Sequence, residues 1–260
     1  MAGKDIRLVV QADDFGMCHA INVGIVDAFL NGIVTQAALM VPCPWFDEAA
    51  ALAHAHAIPV GLHCTLTGEW EHLRWRPLTA GTSLAETDGT LHRTLDGAVA
   101  AVDDDEAIAE LEAQAARLLA TGLMPICCDP HMGVVSTAAC TRVCALLGVP
   151  FLYPVIEPAV AFDSQRMLSH HEPDKLAWLL RYLDGLEPGA HYLCTHPGTP
   201  GPELAAMTRA DAGNADFAER FRASDLAVLT DPAVRTLIDA RGIELVTAAD
   251  IAVDVAVTSE

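Results

Sequence analysis

The sequence predicts an α/β fold on a mainly parallel sheet, and two observations carry that expectation. Short apolar runs alternate with helix-spaced amphipathic runs along the whole 260-residue chain. Several of the apolar runs end in Asp or His, at the strand ends where parallel α/β folds place their chemistry. About seven strands with interleaved helices over this length fit one barrel or distorted barrel, with an open doubly wound sheet as the alternative. No Gly-x-Gly-x-x-Gly follows the first strand and no Gly-Lys-Ser/Thr loop occurs, which argues against a dinucleotide or nucleotide-phosphate site.

Taken in order, the predicted strands are residues 6–10, 34–40, 59–63, 125–129, 149–153, 191–195 and 243–246. Each is short, apolar and bounded by turn or helix signals. Helical spacing occupies residues 19–30, 47–57, 104–120, 136–147, 173–184 and 224–240. Gly122, Gly148 and Gly242 follow helices as C-terminal stops, while Ser136 and Asp231-Pro232 carry helix-start or turn chemistry. No repeat or linker divides the chain, so residues 1–260 are read as a single domain. Its connections 64–103 and 197–222 are too long for simple turns and are expected to lie over the site.

Composition narrows the class. The chain is 52% hydrophobic and 19% charged, as in a globular protein. A formal charge of −20, with Lys4 and Lys175 the only lysines, disfavours nucleic acid and anionic membrane surfaces as partners. No signal-peptide pattern or bilayer-length apolar run is present, so a cytoplasmic protein is expected. The eight cysteines form no Cys-x-x-Cys pair and are expected to be buried reduced thiols.

Asp13 and Asp14 follow the first apolar run. Adjacent carboxylates repel unless a cation or shared proton relieves them, which suggests one on a metal and the other free as a base. A turn with a helix-entry cap is the plainer reading of Asp-Asp-Phe-Gly. Other strand ends carry His63, Asp129 with His131, and Thr195-His196-Pro197-Gly198. An Asp-His-His set suits a divalent ion of the zinc, cobalt, iron or manganese kind, whereas magnesium prefers mostly oxygen ligands. His19, directly after the acid turn, is placed to cap the helix or face the site. The 64–103 connection brings Trp70, Arg74 and Trp75 as candidate substrate contacts, an indole face being suited to a sugar ring. Anchoring the loop is the competing role for both tryptophans.

Ala12-Asp13-Asp14-Phe15-Gly16, Gly61-Leu62-His63, Asp129-Pro130-His131 and His196-Pro197-Gly198 together resemble the motifs of the YdjC/ChbG-type carbohydrate deacetylases. The run from Leu229 to Pro232 and from Arg241 to Leu245 resembles that family's closing helix and strand, so the likeness spans nearly the whole chain. The resemblance implies a distorted (β/α) TIM-like barrel that removes N-acetyl groups from amino sugars with one divalent metal ion, magnesium or zinc. It makes Asp14, His63 and His131 the metal ligands, Asp13 the general base, and His196 the acid or oxyanion partner, acting as an imidazolium. The chain departs from the family pattern at Gly133, where a second histidine is usual, and at Cys64-Thr65, where an apolar-Asn pair is usual. The implied partner is an N-acetylated sugar, and the oligomeric state stays open, a homo-oligomer included. A sugar-binding barrel without turnover and a metal-dependent phosphoesterase served by Arg74 and Arg76 are the competing functions.

Overall fold

The computed structural model describes residues 5–153, 163–166 and 175–251. The first two residues of the helix expected over 173–184, and His170-His171 in the connection before it, lie outside the described residues. The first strand is longer than its apolar run. β1 covers Ile6–Phe15, so the acid pair sits inside the strand near its carboxyl end. Around it the remaining strands are β2 (Gln36–Leu39), β3 (Val60–Cys64), β4 (Cys128–Pro130), β5 (Asp163–Arg166), β6 (Gly189–Thr195) and β7 (Ile243–Leu245).

Hydrogen bonding runs β4-β3-β2-β1-β6-β5, and every pairing is parallel. β7 pairs with the first part of β1, below the point where β2 joins it. Among the described residues β4 and β5 do not pair, so the ladder is an open parallel path and not a closed ring. The expected strand at 149–153 is reduced to one bridge, Phe151 to Cys128. β5 escaped notice because Asp-Ser-Gln-Arg has no apolar pattern, and it pairs only with β6 among the described residues.

The helices are α1 (His19–Leu30), α2 (Phe46–His56), α3 (Leu95–Ala101), α4 (Asp104–Ala120), α5 (Thr137–Leu147), α6 (Lys175–Asp184), α7 (Pro202–Ala205), α8 (Ala215–Ala218), α9 (Arg220–Leu229) and α10 (Pro232–Arg241). The expected helix at 224–240 is therefore two. Asp231 caps the second through Ala233 N at 2.8 Å, and Pro232 lacks the N–H needed to continue the first. Ser136 likewise caps α5 through Ala139 N. Among the described residues, no helix is long and apolar enough to cross a membrane. All eight cysteines are buried, and among the described residues none forms a disulfide.

Period-2 alternation sorts the strand residues between two apolar clusters. Leu8, Val10, Ala12, Leu39 and Leu62 join helix residues such as Ile21, Ile25 and Phe46 in the main core. Val9, Cys127, Tyr192, Cys194 and Val246 form a small second cluster on the other face of the sheet. That second face turns polar toward the carboxyl ends of the strands. Val9 gives way to Gln11 and Asp13, Gly61 to His63, and Cys127 to Asp129.

Candidate functional site

Register brings the chemistry to one level. His63 on β3 pairs opposite Asp129 on β4, and Ala12 on β1 pairs opposite Thr195 on β6, so Asp13 and His196 follow side by side. Strict alternation would send Asp14 to the face opposite Asp13. Instead the register between β1 and β2 shifts between Ala12 and Phe15, and Asp14 has φ of 74°. A bulge with one left-handed residue re-aims a side chain, and here it delivers both carboxylates to the same centre.

Asp14 Oδ1 lies 3.6 Å from His63 Nε2 and 3.4 Å from His131 Nδ1, and those two nitrogens are 3.3 Å apart. The other atom of each group is already engaged. His63 Nδ1 meets Asp129 Oδ2 at 2.7 Å, His131 Nε2 meets Glu69 Oε2 at 2.9 Å, and Arg222 Nη2 donates to Asp14 Oδ2 at 2.6 Å. Asp14 Oδ1 is buried and, among the described residues, has no hydrogen-bond partner. A buried carboxylate oxygen facing two imidazole nitrogens, each imidazole backed by a carboxylate, is the donor set of a divalent cation. The three residues fit such an ion.

The charges agree with that fit. Burial pushes the Asp14 carboxyl up, but the Arg222 charge and the neighbouring His131 and His63 imidazoles hold it well below the usual carboxylate range. Burial works against charge on both imidazoles, yet Asp129 raises His63 well above its ordinary value, and Glu69 with Asp14 raises His131 to about 9.

Asp13 stands beside this centre. Its Oδ1 accepts from Gln11 Nε2 at 2.7 Å, Gln11 Oε1 accepts from Gln36 Nε2 at 2.7 Å, and Gln36 Oε1 accepts from Ala248 N. Its Oδ2 faces Cys194 Sγ at 3.1 Å and His196 Nε2 at 3.7 Å. Burial, then Asp129, raises the Asp13 pKa to about 6. Burial lowers His196 to about 3, with Arg222, His63 and His131 adding to the effect against Asp14. That shift favours the neutral imidazole over the imidazolium expected from the sequence. Its backbone N–H is held by Asp225 Oδ2 at 2.8 Å, and Asp225 Oδ1 pairs with Lys175.

The three expected substrate contacts are held inside the protein. Trp70 is fully buried, donates from Nε1 to Met17 Sδ, stacks on Phe217, and lies 5.7 Å from the Arg222 guanidinium. Trp75 is buried, bonded to Thr67 O, with its ring 6.1 Å from that of His131. Arg74 is spent inside the loop on Gly68 O, Thr90 Oγ1 and Leu91 O. Gly133 has φ of 142°, and a Cβ there would stand 2.9 Å from Leu95 Cδ2, so the backbone disfavours the usual histidine. Thr65 N and O bond to the Gln114 side chain, a helix partner in place of a site contact. Arg222, Glu69, Asp225 and Gln11 were not singled out from the sequence. Gln11 alone left a trace, as a polar residue in an apolar strand on the same face as Asp13.

Fold and site together define a parallel α/β protein with a buried Asp-His-His centre and a second acid beside it. The family model described as YdjC-like protein matches residues 7–240, and the chain belongs to the YdjC-like family. It is 29% identical over 262 residues to a carbohydrate deacetylase of Brevibacillus brevis, covering 95% of this chain and 100% of that protein. It is 30% identical over 268 residues to a chitooligosaccharide deacetylase of Yersinia pestis, covering 92% and 96% of the two chains. In fold it is similar to a putative cellobiose-phosphate cleavage protein of Enterococcus faecalis, with TM-score 0.79, 21% identity and coverage of 95% and 98%. A family 4 carbohydrate esterase of Streptomyces lividans shares the fold more distantly, with TM-score 0.52, 12% identity and coverage of 95% and 93%.

Proposed function

We propose that this chain is a metal-dependent carbohydrate N-deacetylase, hydrolysing the acetamide of an amino sugar or its oligosaccharide to acetate and a free amine. The observation that carries the reading is the unpartnered Asp14 Oδ1 facing His63 Nε2 and His131 Nδ1, with Asp13 next to it. The names of the relatives support the substrate class.

Asp14, His63 and His131 would hold the ion, magnesium or zinc, the histidine pair favouring zinc. When bound, the ion supplies Lewis acidity toward the acetyl carbonyl and makes water more acidic. Asp13, kept off the ion by Gln11, accepts the proton of the attacking water, and a carboxylate raised toward 6 is a better base near neutrality than an ordinary one. A neighbouring cation lowers that value, so the group is ionised at working pH. His196, neutral, gives a hydrogen bond from its ring N–H to the oxyanion of the tetrahedral intermediate. The leaving nitrogen takes its proton from Asp13, within 3.7 Å of His196 Nε2. The net change is one amide and one water to one carboxylic acid and one amine.

The phosphoesterase reading loses Arg74, which is bound within its own loop. A binder without turnover has no use for the Gln11-Gln36 chain that aims a second carboxylate. Acetate release across N-acetylated mono- and oligosaccharides, with chelator and with metal added back, tests the reading. Release that is abolished by chelator and restored by metal is expected. No release from any substrate under metal-replete conditions would overturn it.

A further inference from the structure

With Trp70 and Trp75 buried, the surface aromatic near the site is another tryptophan. Among the described residues, the exposed large apolar side chains are Val23, Leu30, Trp45, Val99, Leu119, Met124, Met132 and Leu146. Most sit on helices or before a strand. Trp45 and Met132 are on connections that leave the carboxyl ends of β2 and β4, the end where Asp14 and His131 lie.

Trp45 is 39% exposed, yet its backbone is fixed on both sides. Its N–H donates to Gly16 O at 3.0 Å, two residues past Asp14, and its carbonyl accepts from Asn22 Nδ2 at 3.2 Å. The Asn22 amide also bonds Gly16 N and Glu48. The His19 ring centroid is 5.4 Å from that of Trp45, and His19 Nδ1 is held by Glu48 Oε1 at 2.8 Å. That leaves His19 Nε2 as the atom able to meet a hydroxyl.

His19 also lines a cavity of about 210 Å³, with Ala20, Val23, Thr199, Pro200 and Glu203 among its other walls. It lies between α1, which follows the Asp13-Asp14 bulge, and the chain that follows His196. Gly24 and Gly198 pack backbone to backbone there, since a Cβ on Gly24 would be 2.6 Å from Gly198 Cα. Neither Asp13 nor Asp14 lines the cavity, but His19 follows Asp14 and Thr199 follows His196 within a few residues, which ties its walls to both sides of the centre. It is smaller than the roughly 300–1,000 Å³ of pockets that enclose a drug-sized ligand, and so suits one ring. Glu203 lines it and Glu48 holds the His19 that also lines it, which favours an uncharged ring over a phosphorylated one.

We infer that Trp45 and His19, with this cavity, form a subsite for the sugar ring adjacent to the one being deacetylated. The inference rests on the deacetylase reading. The indole face packs on the apolar C–H face of the pyranose, and His19 Nε2 and the Thr199 hydroxyl meet its hydroxyls. The enzyme would then favour a disaccharide or longer chain over the monosaccharide.

The test compares wild type, Trp45→Ala, Trp45→Phe and His19→Ala on N-acetylglucosamine and its β-1,4-linked dimer. The expected result is that Trp45→Ala loses about three- to tenfold more kcat/KM on the dimer than on the monomer, mainly through KM, and that Trp45→Phe recovers most of it. Equal losses on both substrates, or none, would overturn the subsite. So would a change in oligomeric state in Trp45→Ala, which would make the indole a contact between copies. If wild type releases acetate from neither sugar, the deacetylase reading fails by itself. The subsite is then read by saturation-transfer NMR with the dimer. A signal lost in Trp45→Ala sustains it, and a signal absent in wild type or unchanged in the variant removes it.

Discussion

Arg222 Nη2 lies 2.6 Å from Asp14 Oδ2, and neither side chain is exposed. The ion pair takes one oxygen of Asp14 and leaves the other for the two histidines. Arg222 itself rests 4.9 Å from the Phe217 ring and 5.7 Å from that of Trp70. Arg222→Met keeps length and removes charge, stranding a buried carboxylate. Breaking one side of a buried pair costs about 3–5 kcal/mol, so the metal-free variant should melt well below wild type. A divalent ion at the centre should restore part of the loss. Thermal unfolding with and without saturating metal reads both, and an unchanged Tm would remove Arg222 from the centre.

Metal content reports directly on Asp14, His63 and His131. Substituting any of them with Ala should lower bound metal and acetate release together, and Asp129→Asn should weaken affinity by about 10–100-fold by releasing His63. Protons compete for the same site. His131 is raised to about 9 and His63 well above its ordinary value in the metal-free protein, while a ligand imidazole must be neutral. Binding therefore expels protons below pH 9, and affinity rises as pH rises toward that value. Titration calorimetry in buffers of different ionisation heat measures the release. Zero protons released at pH 7 would contradict the assignment.

Much of this was legible because apolar strands and their polar ends are local signals. Asp13, Asp14, His63, His131 and His196 all stand at the ends of short runs in the sequence. The bulge that turns Asp14 inward was not legible, since alternation alone sends it to the other face. Arg222, Glu69 and Asp225 reach the centre from connections or from a helix after one, and their approach depends on a path that no periodicity encodes. Trp70 and Trp75 show the converse. Their place in a long loop left platform and anchor equally open, and Met17, Phe217 and the Thr67 carbonyl cover them.

Asp13 and Asp14 should separate cleanly by mutation. Asp13→Asn keeps shape and the bond from Gln11 but cannot accept a proton, so the ion stays while turnover falls by about two orders of magnitude or more. Gln11→Leu should retain metal and lower kcat less severely, because the base is present but unaimed. If Asp13→Asn instead loses metal and recovers near-normal turnover on add-back, the two acids have exchanged roles.

His196 is expected to act in the transition state. His196→Ala should lower kcat and kcat/KM alike with little change in KM. Because His196 is already neutral near pH 7, the acidic limb of the rate profile belongs to Asp13, at pH 6 or below, and rate falls as pH drops through it. That limb should persist in the variant. A variant with only a raised KM would make His196 a substrate-positioning residue, and loss of the limb would return the titration to the imidazole.

Trp70 is the last case, because its burial changes what its removal should do. The indole fills the space between Met17 and Phe217 and stands over Arg222. Trp70→Ala leaves a cavity in that stack, and truncating a buried aromatic costs about 3–5 kcal/mol. The expected variant melts early, binds metal less well because Arg222 loses its support, and loses activity on every substrate alike. Trp70→Phe keeps most of the packing, loses the bond to Met17 Sδ, and should recover most of the stability. A sugar platform would behave in the opposite way, with a normal melting curve and a loss confined to longer chains. Melting temperature beside a monosaccharide-to-trisaccharide activity ratio decides between them, and a normal Tm with a shifted ratio would return Trp70 to the substrate.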